Sequence, residues 1–194
     1  MANVRAIHSA GSSLVTYLRT NYPADLRAEI PCDFRLVSGA ELGDLPNQGT
    51  VLSLMLYRVT VNEHLRNART TDPRARPGVP LSVDLHYLMT AWAENAEWEQ
   101  QILGKAMQCL ESFPNLSGPM LYPTGDWSAN EAVHLTIEDL GIDSLMRTFD
   151  SLALDYRLSV PYLARIVRLD GRTVEAPAST SKVVTGLTPL GATP

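Results

Sequence analysis

Asp84 and His86 are the residues whose types and spacing come nearest to chemistry in this chain. They stand two apart in the run LSVDLHYLMTA (81–91). There Leu81, Val83, Leu85, Tyr87 and Met89 alternate with Ser82, Asp84, His86, Leu88 and Thr90, which predicts a β-strand with one face on a core and a mixed second face. Residues i and i+2 of a strand share a face, and a carboxylate beside an imidazole can orient a general base or a metal ligand. With His134, on another predicted strand, the pair would make a two-histidine, one-carboxylate site. The alternative is that Asp84 and His86 are polar residues of a partly buried sheet face, hydrogen-bonded to backbone or to a neighbouring arginine. No third ligand is marked, so the expectation carried forward is structural: no catalytic residue, no metal and no cofactor.

Other patterns point to contacts more than to reactions. The chain has no P-loop, no GxGxxG, no GxSxG and no HExxH. Its two cysteines, Cys32 and Cys109, have neither CxxC nor metal-ligand spacing, which favours a reducing compartment over a disulfide framework. Trp92, Trp98 and Trp127 could form a stacking surface. Trp98 falls on a predicted helix face and reads as core. Trp127, in the loop PTGDWSAN, is either an interface anchor or an indole folded back on its own domain. Arg66, Arg69, Arg74 and Arg76 lie with three prolines in a polar stretch over 62–80, read as a long loop that either meets an acidic partner or is simply solvated.

The elements that must position these residues are legible from periodicity. Val4, Ile7, Gly11, Leu14 and Leu18 predict a helix over 3–21, weakened by Gly11, Ser12 and Ser13 and stopped by Pro23. Residues 49–61, apolar on both faces at first, predict a strand covered on both sides. A helix over 95–113, capped by Asn95 and closed by Pro114, puts Trp98, Ile102, Ala106, Cys109, Leu110 and Phe113 on one face. A short strand at 132–138 follows. A helix over 142–153 is expected to turn Ile142, Leu145, Met146, Phe149 and Leu152 inward. The last strand, 156–169, has apolar even positions, and Pro161 in it predicts a bulge or an edge. The fold class is therefore α+β: a mixed, mainly antiparallel sheet of about four to five strands packed with about three helices, plus an extended C-terminal arm. The domain is placed at 1–170 and the arm at 171–194, where Gly, Pro, Ser and Thr dominate and Val183, Val184, Leu187 and Leu190 are the apolar anchors.

The bulk numbers exclude some functions. A chain of 194 residues can bury roughly 70% of its unfolded surface without a disulfide or metal staple. A net charge of −5 argues against sequence-independent nucleic-acid binding, which needs basic surface to neutralise phosphates. The longest apolar run, 51–57, is far short of the ~20 residues a membrane helix takes. The N-terminus lacks a signal-peptide pattern, so the expected place of assembly is the cytoplasm, with release on cell lysis left open.

Four blocks in order carry a resemblance: LYRVTVNEHLRN (56–67), PLSVDLHYLMTAW (80–92), EQQILGKAMQCL (99–110) and YRLSVPYLARIVRLD (156–170). Together they resemble the cap, or tail-terminator, proteins of extracellular contractile injection systems, which are phage-tail-like particles. The resemblance covers about residues 3–170. It implies a structural protein without an active site, six copies of which form a ring on the last tube layer, stop elongation and hold the last sheath layer. The implied partners are the chain itself as a homohexamer, the inner-tube protein and the sheath protein. Two alternatives stay open: a tube or baseplate adaptor of the same particle, and a small metal-dependent enzyme using Asp84 and His86. The arm is expected to staple the assembly, since extended segments can add to a neighbour's sheet edge or groove.

Overall fold

In a computed structural model, which describes residues 2–62 and 81–169, a single six-stranded sheet carries the architecture. The chain runs through α1 (Ala6–Asn21), α2 (Ala24–Glu29), β1 (Asp33–Val37), a 3-10 turn at Leu42–Asn47, β2 (Val51–Val61) and β3 (Leu81–Trp92). It continues through α3 (Ala96–Ser112), β4 (Asn115–Ser117), β5 (Ala132–Ile137), α4 (Ile142–Ser151) and β6 (Ser159–Leu169). The strand order is β1-β2-β3-β6-β5-β4. The first pair is parallel and all others are antiparallel. The α+β class and the mainly antiparallel sheet match the expectation, but the sheet has six strands where four to five are expected. The extra strands are β1, only five residues and interrupted by Asp33 and Arg35, and β4, only three residues. Neither is long enough to carry a period-two signal. The six-residue α2 buries none of its side chains, so it shows no apolar stripe either.

Helices α1 and α3 cover one face of the sheet, where Leu14, Leu18, Leu52, Leu85, Tyr87, Met89, Ile102 and Leu110 share a core. The other face is covered by α4 and the 3-10 turn, through Leu42, Leu45, Val51, Met55, Leu88, Trp92, Leu145 and Phe149. The central strand β3 is therefore buried on both faces, and Ser82, Asp84, His86 and Thr90 are buried with it. The second face is mixed in composition, as expected, but fully buried where partial burial is expected. The polar residues tolerate burial because they find partners: Thr90 and Ser159 share a hydrogen bond of 2.7 Å, and Trp92 Nε1 donates to Ser53 Oγ at 2.8 Å.

Two more expectations are corrected in α4 and β6. Of the five residues expected inward on α4, Leu145 and Phe149 are buried and Leu152 partly so, while Ile142 and Met146 are exposed. A ten-residue helix lying on a sheet offers only a narrow stripe to it. Strand β6 starts at Ser159, not at 156. Tyr156 instead packs edge-on against Phe149, with ring centroids 5.4 Å apart. Its even-position pattern also breaks. Leu85 pairs with Ala164 but Val83 pairs with Val167, so β6 holds an extra residue there, and Ala164 and Val167 both enter the same core. Pro161 sits inside this interior strand. Its carbonyl accepts from Glu138 N–H just past Ile137↔Tyr162, the last pair of the β5 ladder, so its missing donor falls where that neighbour has ended.

Helix α1 packs close because its sheet-facing side is small. A Cβ at Gly11 would stand 2.8 Å from Leu36 Cδ1 and 3.2 Å from Tyr87 Oη. The Gly-Ser-Ser stretch that lowers helix propensity is thus what lets the helix approach. Ser9 and Ser13 also grip the segment after β4: Ser9 Oγ donates to the Tyr122 carbonyl, and Tyr122 N–H donates to Ser13 Oγ at 2.7 Å. The Trp127 indole N–H donates to Ser9 Oγ at 2.8 Å and closes over Gly125. Asn95 caps α3 by accepting from Trp98 N–H at 2.9 Å, as expected.

Gly125→Ala tests this clamp. The new Cβ would stand 2.7 Å from Trp127 Cε2 and 2.8 Å from Ser9 Oγ, so the indole must leave. Chemical denaturation should show a loss of about 1–3 kcal/mol. Tryptophan emission should shift to the red as Trp127 meets water.

Candidate functional site

The second sheet face changes character along β3. Toward Trp92 it is apolar; toward Leu81 it carries His86 and Asp84. A β-bulge in β2 builds the polar half. Leu56 pairs with Tyr87 but Arg58 pairs with His86, so Tyr57 is the extra residue. The extra residue reverses the alternation, and Tyr57 and Arg58, neighbours in sequence, both reach this face.

They meet at Glu138, one residue past β5. Its carboxylate accepts from Tyr57 Oη at 2.7 Å and from Arg58 at 2.8 Å. His86 Nδ1 lies 2.9 Å from each carboxylate oxygen, and His86 Nε2 lies 2.9 Å from Thr60 Oγ1. With Nδ1–H donating to the carboxylate, Nε2 is free to accept from the threonine hydroxyl. Glu138 therefore reaches across β6 to bind β3 and β2. Its side chain is 13% exposed. Burial opposes its charge, but hydrogen bonds from His86 and Tyr57 and the positive charge of Arg58 outweigh burial and hold the carboxyl below its ordinary value. Burial, and then donation to Glu138, push the Tyr57 hydroxyl far above its usual range.

The sequence pairs Asp84 with His86, and the structure gives them different partners. The Asp84 carboxylate accepts from Asn62 Nδ2 at 3.1 and 3.3 Å, while His86 faces Glu138. His134 stands on β5, separated from β3 by β6, and its Nδ1 contacts Asn115 Oδ1 at 2.8 Å. The three residues form no common site. Among the described residues, no three His, Cys, Asp or Glu side chains stand close enough to hold a metal ion. His86 is buried with both ring nitrogens engaged by protein, so it has no free position for a substrate. The cluster has the parts of an acid–base site but is arranged as a tether between strands.

The other expected contact residues fare differently. Trp92 lies on one sheet face while Trp98 and Trp127 pack against the core on the other, so no three-tryptophan surface exists. Trp127 is half-buried and bonded to Ser9, as an indole folded back on its own domain would be. Arg66, Arg69, Arg74 and Arg76, and the arm anchors Val183, Val184, Leu187 and Leu190, lie outside the described residues. Nothing in the sequence marks Tyr57, Arg58, Thr60 and Glu138 as a cluster. The bulge that joins the first two leaves no mark in LYRVTV, and Glu138 is one acidic residue of the run IEDLG.

The Pvc16 N-terminal domain family model matches residues 10–182. The fold is similar to that of the sheath/tube terminator of an extracellular contractile injection system, PVC, in its extended state, solved by electron cryo-microscopy. That similarity has a TM-score of 0.57 at 20% identity and covers 96% of this chain and 66% of that one. It is also similar to the tube-terminating cap of the anti-feeding prophage, with a TM-score of 0.56 at 18% identity over 90% of this chain and 60% of that one. This chain thus spans less than two thirds of the length of either structure. No curated protein matches it.

Glu138→Gln keeps the shape of the tether and removes its charge. Thermal or denaturant unfolding at neutral pH should show a loss of about 1–3 kcal/mol. The folded carboxyl titrates below its unfolded value of about 4.3, so its stabilisation is present above that pH and fades as pH falls through the lower folded value. Wild type should lose stability in that acid window more steeply than Glu138→Gln. Parallel pH profiles for the two proteins would refute the tether.

Proposed function

Since the chain belongs to the Pvc16 N-terminal domain family, we propose that it is a structural cap: a subunit that closes the end of the tube in a contractile injection particle. Six copies form a ring on the last tube layer, end its growth and anchor the last sheath layer. Its partners are further copies of itself, the inner-tube protein and the sheath protein. It assembles in the cytoplasm and works by contact, not by catalysis. The observation that carries this reading is the likeness of fold, over 96% of this chain, to a protein described as a sheath/tube terminator.

The interior supports it. The groups closest to catalytic chemistry, His86 and Glu138, spend their hydrogen bonds on one another and on Tyr57, Arg58 and Thr60. No helix among the described residues is long and apolar enough to cross a membrane. A ring requires head-to-tail interfaces, in which two different patches of each copy meet. The exposed apolar residues Ile142 and Met146 on α4 and Phe113 at the end of α3 lie on opposite sides of the sheet, the placement such an interface uses.

Imaging particles from cells that lack this chain tests the reading. Tubes of irregular length whose sheaths lack a stable end are the expected result. Particles of normal length and finish would sink it, as would a tagged copy located at the baseplate end, which is where an adaptor would sit. Native mass spectrometry of the tube-end complex should give six copies per ring.

A further inference from the structure

Strand β1 ends the sheet on one side and, at five residues, is the longer of its two edge strands; β4 has three. An edge strand presents unpaired N–H and C=O groups that can template pairing with another chain. Asp33 N–H donates to the Thr50 carbonyl beside β2. In a parallel ladder this turns the backbone groups of Asp33, Arg35 and Val37 inward, and leaves those of Phe34, Leu36 and the following Ser38 facing out.

Most of the outward groups are already occupied. Phe34 N–H donates to Asp33 Oδ1 at 2.8 Å, and the Phe34 carbonyl accepts from Arg19 at 2.6 Å. Ser38 N–H and its hydroxyl both donate to Glu41 Oε2 at 2.7 Å. Asp33 is held in place by Arg35 at 2.8 Å. Each of these bonds has an ionised partner, which makes it stronger than a bond between neutral groups. Among the described residues, only Leu36, between the two capped residues, has outward backbone groups with no side-chain cap. It borders an open groove of about 390 Å³ lined by Val15, Arg19, Phe34 and Leu45 among others.

We propose that Arg19, Asp33 and Glu41 keep the β1 edge closed to strand addition, so that a second copy of this chain cannot join the sheet there. An incoming strand must bond to Phe34, Leu36 and Ser38 in turn. It would gain one residue's worth of bonds at Leu36 and would have to displace a guanidinium and two carboxylates to gain the rest. The inference stands on the geometry of β1 and deepens the proposed role: a subunit at the end of a polymer, with its longer edge shut, leaves no template there for another layer.

The full-length triple variant Arg19→Met/Asp33→Ala/Glu41→Ala tests this independently of particle assembly. Sedimentation velocity should show species larger than those of wild type at the same concentration. In those species, hydrogen exchange at the Leu36 amide should slow by about tenfold relative to wild type. A folded variant with the wild-type size distribution would overturn the proposal. So would larger species in which Leu36 still exchanges as in wild type, because the contact would then lie elsewhere. If the triple variant does not fold, Arg19→Met/Glu41→Ala uncaps the Phe34 carbonyl and Ser38 N–H, and the same two outcomes decide.

Discussion

The carboxylate of Glu138 fixes how the second half of the chain sits on the first. It takes hydrogen bonds from β2 and β3 while belonging to the segment between β5 and α4, so it crosses the face of β6. Four residues later α4 begins, and Leu145 and Phe149 cover Val51, Met55 and Leu88. Burying such side chains stabilises by roughly 1.5–3 kcal/mol each, but only if the helix lands in register with them. A buried ion pair contributes little net stability compared with an apolar packing; its better-attested use is to fix register. Here the register is that of a helix on a sheet, and through it the burial of β3 on both faces.

The other face solves the same problem with small residues. Gly11 admits Leu36 and Tyr87, and Ser9 and Ser13 hold the Tyr122 backbone and the Trp127 indole. One face is positioned by a charge cluster and the other by close approach. Each device is local, and each links segments more than fifty residues apart. A sheet built this way has little freedom to slide its layers, which would suit the proposed role of holding two polymers at a fixed end.

Most of the architecture is legible in the sequence because its long elements carry a helical or alternating period, or an apolar run, over most of their length. Strands β2, β3 and β6 and helices α1 and α3 were all expected within a few residues of their observed limits. What was missed has physical causes. β1 and β4 are too short to show a pattern, and the bulges at Tyr57 and in β6 reverse the alternation without altering composition. Asp84 and His86 share the strand face that their spacing gives, but as a pair they mislead. Adjacency on a strand says which face they share and not which partner each takes, and the partner of His86 lies 52 positions away at Glu138. Trp127 reads in sequence as either an anchor or an indole packed on its own domain, because its bond to Ser9 comes from a helix more than a hundred residues earlier.

β3 is the longest strand and lies between β2 and β6, antiparallel to both, with pairing along nearly its whole length on each side. A pull along the strand axis would load both ladders in shear, and every rung would share the force until all gave way together. A pull across the strands at one end would unzip them rung by rung. Resistance to force is set by the height of the unfolding barrier and not by the free energy of folding. In the proposed cap, the direction in which a contracting particle loads the subunit would therefore matter more to its survival than its melting temperature.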